Sequence, residues 1–472
     1  MASRLEMRQS AMAACELLRT RFPGRIAFPA DTNYRTELEK SWSSNCWLPA
    51  ACFVRPPDAK GVAHVLRVVK KTGSKFAVRS GGHNMNPGFS SMGGYGIVLD
   101  LQDLNSLHLD GEKTLQVGAG NTWGAVNRFL HESGLSAVGG RQNNVGVSGY
   151  LLGGGMSAFP GLYGLASDNV RNYEVVLADG TIVNANAHQN VDLYHSLKGG
   201  GSNFGVVTRF DIATYRIETR STVAEYSLAG YEEVLRTTLE AQEAMEKDPK
   251  IGMFTSVSPV SIVVGLFYAD ATAERPQAFE AFLNLKSLVQ VVVPTITGTI
   301  KTLVDAIGPL SPPARRLVST ITTKLSHDFY MDVHQLWLDT KKEYPEIGNL
   351  SYNIQPMPSM TARIGEDKSG NLLGLQQVAQ TWWSLVAEWS EPVDDVRAAQ
   401  GLDFLQQGIV RLAEKHDRSL EFLFMNDAKF SQNVLGSYGW ESVAKLKNTA
   451  AKYDPEGFFQ SQQNDGFLLR KV

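Results

Sequence analysis

The chain has 472 residues, 43% hydrophobic and 20% charged, with 45 Lys and Arg against 48 Asp and Glu and a net charge of −3. A chain of this length favours two domains of about 200 residues each over a single core, and its balanced charge supplies no field that would draw in nucleic acid. Its longest apolar runs, VQVVV near 290 and VSIVVGLF near 260, are far too short to span a bilayer. From Met1 to Phe22 charges recur every few residues around apolar positions, which predicts an amphipathic helix and no signal peptide, so the cytoplasm is the expected location. Cys15, Cys46 and Cys52 are too few for a disulfide framework and lack zinc-ligand spacing, so no metal is expected. They read as small buried thiols, with Cys46 to Cys52 the pairing worth considering.

Between about 45 and 217 short apolar runs alternate with helical stretches. ACFVRPP reads as a strand, DAKGVAHVLRVVKKTG as a helix, KFAVRSGGHN as a strand and turn, GIVLDLQDL and TLQVGAG as strands, and TWGAVNRFLHESGL as a helix. The composition shifts near 217. Beyond it come alternating runs such as SIVVGLFYAD, amphipathic helices, a proline-rich passage near 312 and the strand YNIQPMP. Trp382, Trp383 and Trp389 have helical spacing and read as core. After about 440 a helix, WESVAKLKNTAAKY, leads into a turn-rich tail.

Of the 43 glycines, 25 fall between Arg79 and Val207. Apolar runs share that stretch, so its glycines belong to a fold whose backbone turns sharply and comes close to something. Gly118 to Gly124 imitates a dinucleotide fingerprint, but its spacing is GxGxxxG and no acidic residue follows about twenty residues later, so it reads as a turn. Arg79-Ser80-Gly81-Gly82-His83-Asn84, leaving a strand and followed by Gly88, is a stronger candidate. Consecutive small residues let several backbone N–H groups converge into a nest for a diphosphate, with His83 at its end. A second glycine surface runs from Gly139 to Ser157, followed by SDNV at 167 to 170, KGGGSNFGVV and the tail YDPEGFF.

In this order the motifs resemble the FAD-linked oxidoreductases of the vanillyl-alcohol-oxidase type, PCMH-type flavin fold, and within them the berberine-bridge-enzyme-like group of fungal secondary metabolism. The resemblance implies an α+β fold: an FAD-binding domain formed by 1–217 plus 440–472, and an inserted substrate domain, 218–439, of antiparallel sheet and helices. It implies FAD joined to His83, cradled from Arg79 to Asn84 and at Gly88. It places Gly146, Gly149, Gly154, Gly155, Ser157, Asp168, Asn169 and Val207, the 199–205 cluster, and Phe459 and Gln463 of the tail along the same dinucleotide. Gln142 stands where many relatives carry a second, cysteine tether, so attachment through His83 alone is expected. Tyr150 replaces a histidine near the flavin pyrimidine. Val145 stands at the position that gates oxygen and implies O2 as the electron acceptor. The family's Tyr-x-Asn strand reads Phe424-Met425-Asn426 here, and phenylalanine takes no proton. Gln355 and Asn426 are therefore the candidate polar groups beside a small-molecule substrate, and Tyr352 or Asp427 the candidate base. The expected reaction is an oxidation with release of H2O2. Oxidative cyclisation on the same scaffold and flavin binding without catalysis are the alternatives.

Overall fold

The structure, a computed structural model, describes residues 3–308 and 312–472. Pro309, Leu310 and Ser311 of the proline-rich passage lie outside the described residues, as do Met1 and Ala2.

The helix Arg4–Arg21 starts on a capping box in which Ser3 Oγ accepts from the Glu6 N–H (3.2 Å) and the Glu6 carboxylate accepts from the Ser3 N–H (2.6 Å). Ala11, Ala14, Cys15 and Leu18 form its buried stripe, and the helix packs against Ala59–Thr72. This packing sets Cys15 6.1 Å (Cα to Cα) from Cys52 on the strand Cys52–Val54, and the two form a disulfide. The reading of free thiols therefore fails for Cys15 and Cys52, and the pairing considered from sequence, Cys46 with Cys52, is not the one formed. Cys46 is a free, buried thiol, pushed up to about 12 by burial. A disulfide persists more readily in an oxidising compartment than in the reducing cytoplasm expected from the sequence. No helix among the described residues is long and apolar enough to cross a membrane.

Three sheets organise the chain. The first joins Ile26–Ala27, Cys52–Val54, Gly96–Asp100 and Lys75–Arg79 in that order, its last three strands parallel. The C-terminal tail returns to its edge: the Phe76 N–H donates to Gln462 O (3.2 Å) and the Asn464 N–H to Phe76 O (2.8 Å). The second sheet is antiparallel and centres on Val206–Tyr215, flanked by Thr114–Gly118 and Val170–Val176. The third is an eight-stranded antiparallel sheet built from strands between Thr219 and Leu420. The expected α+β architecture, with an antiparallel sheet inserted between the parts that form the first two sheets, is the one observed.

One face of the third sheet packs under the helices Tyr231–Met245, His327–Glu343 and Asp395–Lys415. Strand alternation decides which side chains go there. On Asn349–Met357, Leu350, Tyr352 and Ile354 enter the helix-covered core, whereas Met357 joins the core of the first two sheets. The three tryptophans obey the same rule. They lie on the strand Gln380–Trp389, not on a helix. All are core, but Trp382 packs with Phe422 and Phe424 on one face while Trp383 and Trp389 lie on the other. The run QTWWSLVAEW satisfies both periods, and pairing with neighbouring strands on both sides selects the extended one.

Candidate functional site

The strand Lys75–Arg79 delivers the chain into the Ser80–Asn84 loop, which meets the second glycine surface back to back. A Cβ on Gly81 would stand 2.5 Å from Gly146 Cα and N, so this approach requires glycine. Ser80 Oγ and Ser148 Oγ both donate to Ala119 O, at 2.7 and 2.9 Å. The Val147 N–H donates to Asn121 O and the Trp123 N–H to Val145 O. The fingerprint-like turn at 118 to 124 thus serves as the scaffold that fastens two other loops together. Gly81→Ala is expected to destabilise the protein by about 1–3 kcal/mol, because the loops must part to admit the methyl group. The urea midpoint measures this, and an unchanged midpoint would show that the contact is not tight.

His83 is stacked on Trp42, with ring centroids 4.3 Å apart and planes inclined by 16°. The Arg316 guanidinium covers Trp42, with Cζ 3.9 Å from a ring centroid. Burial, followed by the positive charge of Arg316, pushes the imidazole down to about 4. His83 is therefore neutral at ordinary pH, the form in which a ring nitrogen carries a lone pair. Its Nε2 is buried without a hydrogen-bond partner, as are Gln142 Oε1 and Gln463 Oε1. Such atoms are rare in folded proteins because each costs about 1–3 kcal/mol. Fifteen occur among the described residues, and these three lie at positions expected to meet one dinucleotide; a Cβ on Gly149 at the same surface would meet nothing within 4 Å. These residues fit an FAD.

Other expected cofactor residues act differently in the fold. The Arg79 guanidinium turns away from the loop to Asp100 (2.7 Å) and Glu37 (3.1 Å), so only its backbone is available to a diphosphate. Asp168 accepts from the Leu165 N–H and from Asn371, and Asn169 Nδ2 donates to Tyr163 O and Leu165 O. Ser157 Oγ accepts from the Phe159 N–H. Phe459 is buried against Phe76 and Phe458, and Val207 is buried in the core. These side chains brace the wall. Gly82, Gly88, Gly154 and Gly155 take positive φ, the exposed Asn84 accepts from the Asn86 N–H, and the Gly201 N–H ties the 199–205 cluster to Leu152 O.

Between the glycine surface and the third sheet lies a chain of polar groups. Arg141 Nη2 donates to Gln355 Oε1 (3.0 Å), and Gln355 Nε2 donates to Asp427 Oδ2 (2.7 Å). Burial raises the Asp427 carboxyl, opposed by hydrogen bonds from Gln355 and Ser384 and by the charge of Arg141. Asn426 holds two points of the glycine surface, donating to Gly149 O (3.0 Å) and accepting from the Gly155 N–H (3.1 Å). It lies in a single helical turn, Met425–Asp427, not on a strand. The Tyr150 hydroxyl donates to Met156 O, its ring meets Trp123 edge-on, and burial raises its pKa.

Tyr352 is excluded from the site. It is 1% exposed within the helix-covered core, and its hydroxyl lies 2.8 Å from His334 Nδ1. Being three residues from Gln355 on one strand, it faces the opposite side of the sheet. Of the two candidate bases, only Asp427 stands at this polar chain. Arg141, Trp42 and Arg316 were not anticipated. Only Arg141 left a signal in the sequence: it is the one charged residue between Glu132 and Asp168.

The sequence profile of the FAD binding domain family matches residues 50–186. An FAD-dependent monooxygenase of Arthrobotrys oligospora is 34% identical, over 96% of this chain and 89% of the relative. The 6-hydroxy-D-nicotine oxidase of Arthrobacter nicotinovorans shares the fold, with a TM-score of 0.81 at 23% identity, over 94% of this chain and 98% of that one. So does the glucooligosaccharide oxidase of Acremonium strictum, a protein with 6-S-cysteinyl, 8α-N1-histidyl FAD, with a TM-score of 0.77 at 16% identity over 94% and 97% of the two chains.

Proposed function

We propose that this chain, which belongs to the FAD-dependent oxidoreductases of the berberine-bridge-enzyme-like group, is an oxidase of a small, secondary-metabolite-like substrate that carries a C–H bond next to oxygen or nitrogen. When bound, the flavin supplies a two-electron oxidant for that C–H bond, with O2 as the final acceptor and H2O2 as its product. The observation that carries the reading is the chain from Arg141 through Gln355 to Asp427, set between the glycine surface and the sheet.

Asp427 accepts the proton from the substrate O–H or N–H, since burial makes its carboxylate a stronger base than an ordinary aspartate. Gln355 orients it by donating to Oδ2 and is itself fixed by Arg141. Asn426 keeps the glycine surface in shape, and Tyr150 is anchored on Met156 O beside the same space. His83 holds the cofactor covalently, as the only tether: Cys46 is engaged with Asn84 O, Cys15 and Cys52 are joined to each other, and the family's second tether position is Gln142. The half-buried Val145 leaves room for O2. Two regions divide the work: 1–217 with 440–472 for FAD, and 218–439 for substrate.

The test is a peroxidase-coupled assay with candidate alcohols and amines, repeated under 18O2. One H2O2 per product and no labelled product is the expected result. Labelled product without peroxide would overturn the oxidase reading in favour of a monooxygenase, the activity named for the Arthrobotrys oligospora relative.

A further inference from the structure

Arg141 differs from the ion-paired arginines of the interior. Arg79 is paired with Glu37 and Asp100, Arg316 with Glu388, and the partly buried Arg209 with Glu174 and Asp211. Arg141 has no carboxylate within 4.0 Å among the described residues. Its polar contacts are Gln355 Oε1 at 3.0 Å and Met156 Sδ at 3.7 Å, both through Nη2, and its Cζ lies 5.3 Å from the Phe254 ring centroid. Nε and Nη1 have no hydrogen-bond partner among the described residues and are not sealed from a water-sized probe. They are therefore within reach of solvent. The nearest negative charge, Asp427, is held off by the intervening Gln355 amide.

A guanidinium does not escape desolvation by losing its proton. A charge in the interior is stable only when paired. Arg220, on Thr219–Tyr226, and Arg418, beside Ser419–Leu420, also lack a carboxylate partner among the described residues, but Arg141 alone of the three stands at the glycine surface against Gln355, where an incoming anion would pair it. Nε–H and Nη1–H point in different directions, so each offers a single charge-assisted hydrogen bond to one anionic oxygen, that of a carboxylate, a phenolate or an enolate. Phe254 beneath the guanidinium adds an apolar surface for the body of such a ligand.

We infer that Arg141 is a substrate-binding residue that recognises an organic oxyanion, so that the substrate is an acid (a carboxylate, phenol or enol) oriented with its anionic end at Arg141 and the O–H or N–H of its oxidisable carbon at Asp427. The inference rests on the flavoenzyme reading above. Its test uses the purified, flavin-loaded protein and follows the visible absorption of the bound flavin during titration with benzoate and with methyl benzoate, then with dimedone and its O-methyl ether. The acids are expected to perturb the spectrum saturably, at least about tenfold more tightly than the uncharged partners. Arg141→Gln should remove most of that difference, and Arg141→Lys, which keeps the charge and loses the planar set of donors, should retain part of it.

Equal binding of acid and ester by the wild-type protein would overturn the inference without any variant. So would an Arg141→Gln protein that binds benzoate as tightly as wild type, or that changes only the flavin reduction potential, since the guanidinium would then serve the cofactor. A protein that purifies without flavin would instead sink the proposed function.

Discussion

Asp427→Asn is expected to lower kcat by ~10²–10⁴-fold, the usual contribution of a positioned base, while leaving the amount of bound FAD unchanged. The replacement keeps the shape and an oxygen that still accepts from Gln355 Nε2, now 2.7 Å from Oδ2, so a loss of turnover reports the missing base and not a collapsed site. The pH profile gives a second reading. Burial raises the Asp427 carboxyl above the ordinary aspartate value, and a base acts only when ionised. The rate of the wild-type protein should therefore fall as pH drops through this raised pKa, and the acid limb should vanish in the variant. Turnover within about threefold of wild type, well short of that contribution, would place the base elsewhere.

His83→Ala is expected to abolish covalent attachment completely. The imidazole has the properties a tether needs: Nε2 is buried and unpartnered, and the ring is neutral at ordinary pH. The glycine loop and the Gly81–Gly146 contact do not depend on that ring, so the variant should still bind FAD reversibly. Acid precipitation should leave its pellet colourless and its supernatant yellow, and gel filtration at low concentration should strip the flavin. A yellow acid pellet from the variant would show a second tether, for which Cys46 is poorly suited because its thiol is pushed up to about 12.

The parts of the site that could be read in the sequence are those with local requirements. Gly81 and Gly146 have to be glycine for two backbones to touch, and the RSGGH loop and the order of motifs around it led to the flavin fold. The eight-stranded sheet was foreshadowed by alternating runs such as YNIQPMP. What the sequence hid depends on tertiary packing. Tyr352 and Gln355 were both candidates, although strand parity puts them on opposite faces; only the helices covering Leu350, Tyr352 and Ile354 reveal which face is core. Cys15 meets Cys52 because one helix docks over a strand 37 residues away in sequence. Trp42, which stacks on His83, and Arg316, which covers Trp42, lie far apart in the chain and carry no local mark. Asp168 and Asn169 sit in a recognisable motif, yet their side chains are taken up by Leu165, Asn371 and Tyr163. Arg141 was visible as a lone charge in an uncharged stretch, but its meaning required the absence of an ion-pair partner in three dimensions.

The central claim, a flavoenzyme tethered through one histidine, is tested most directly by precipitating the wild-type protein in acid, digesting the pellet with protease and weighing the flavin-bearing peptide. The predicted result is a yellow pellet with a single flavin-labelled peptide that contains His83. Free FAD in the supernatant, or a label on a peptide containing Cys46, would contradict it.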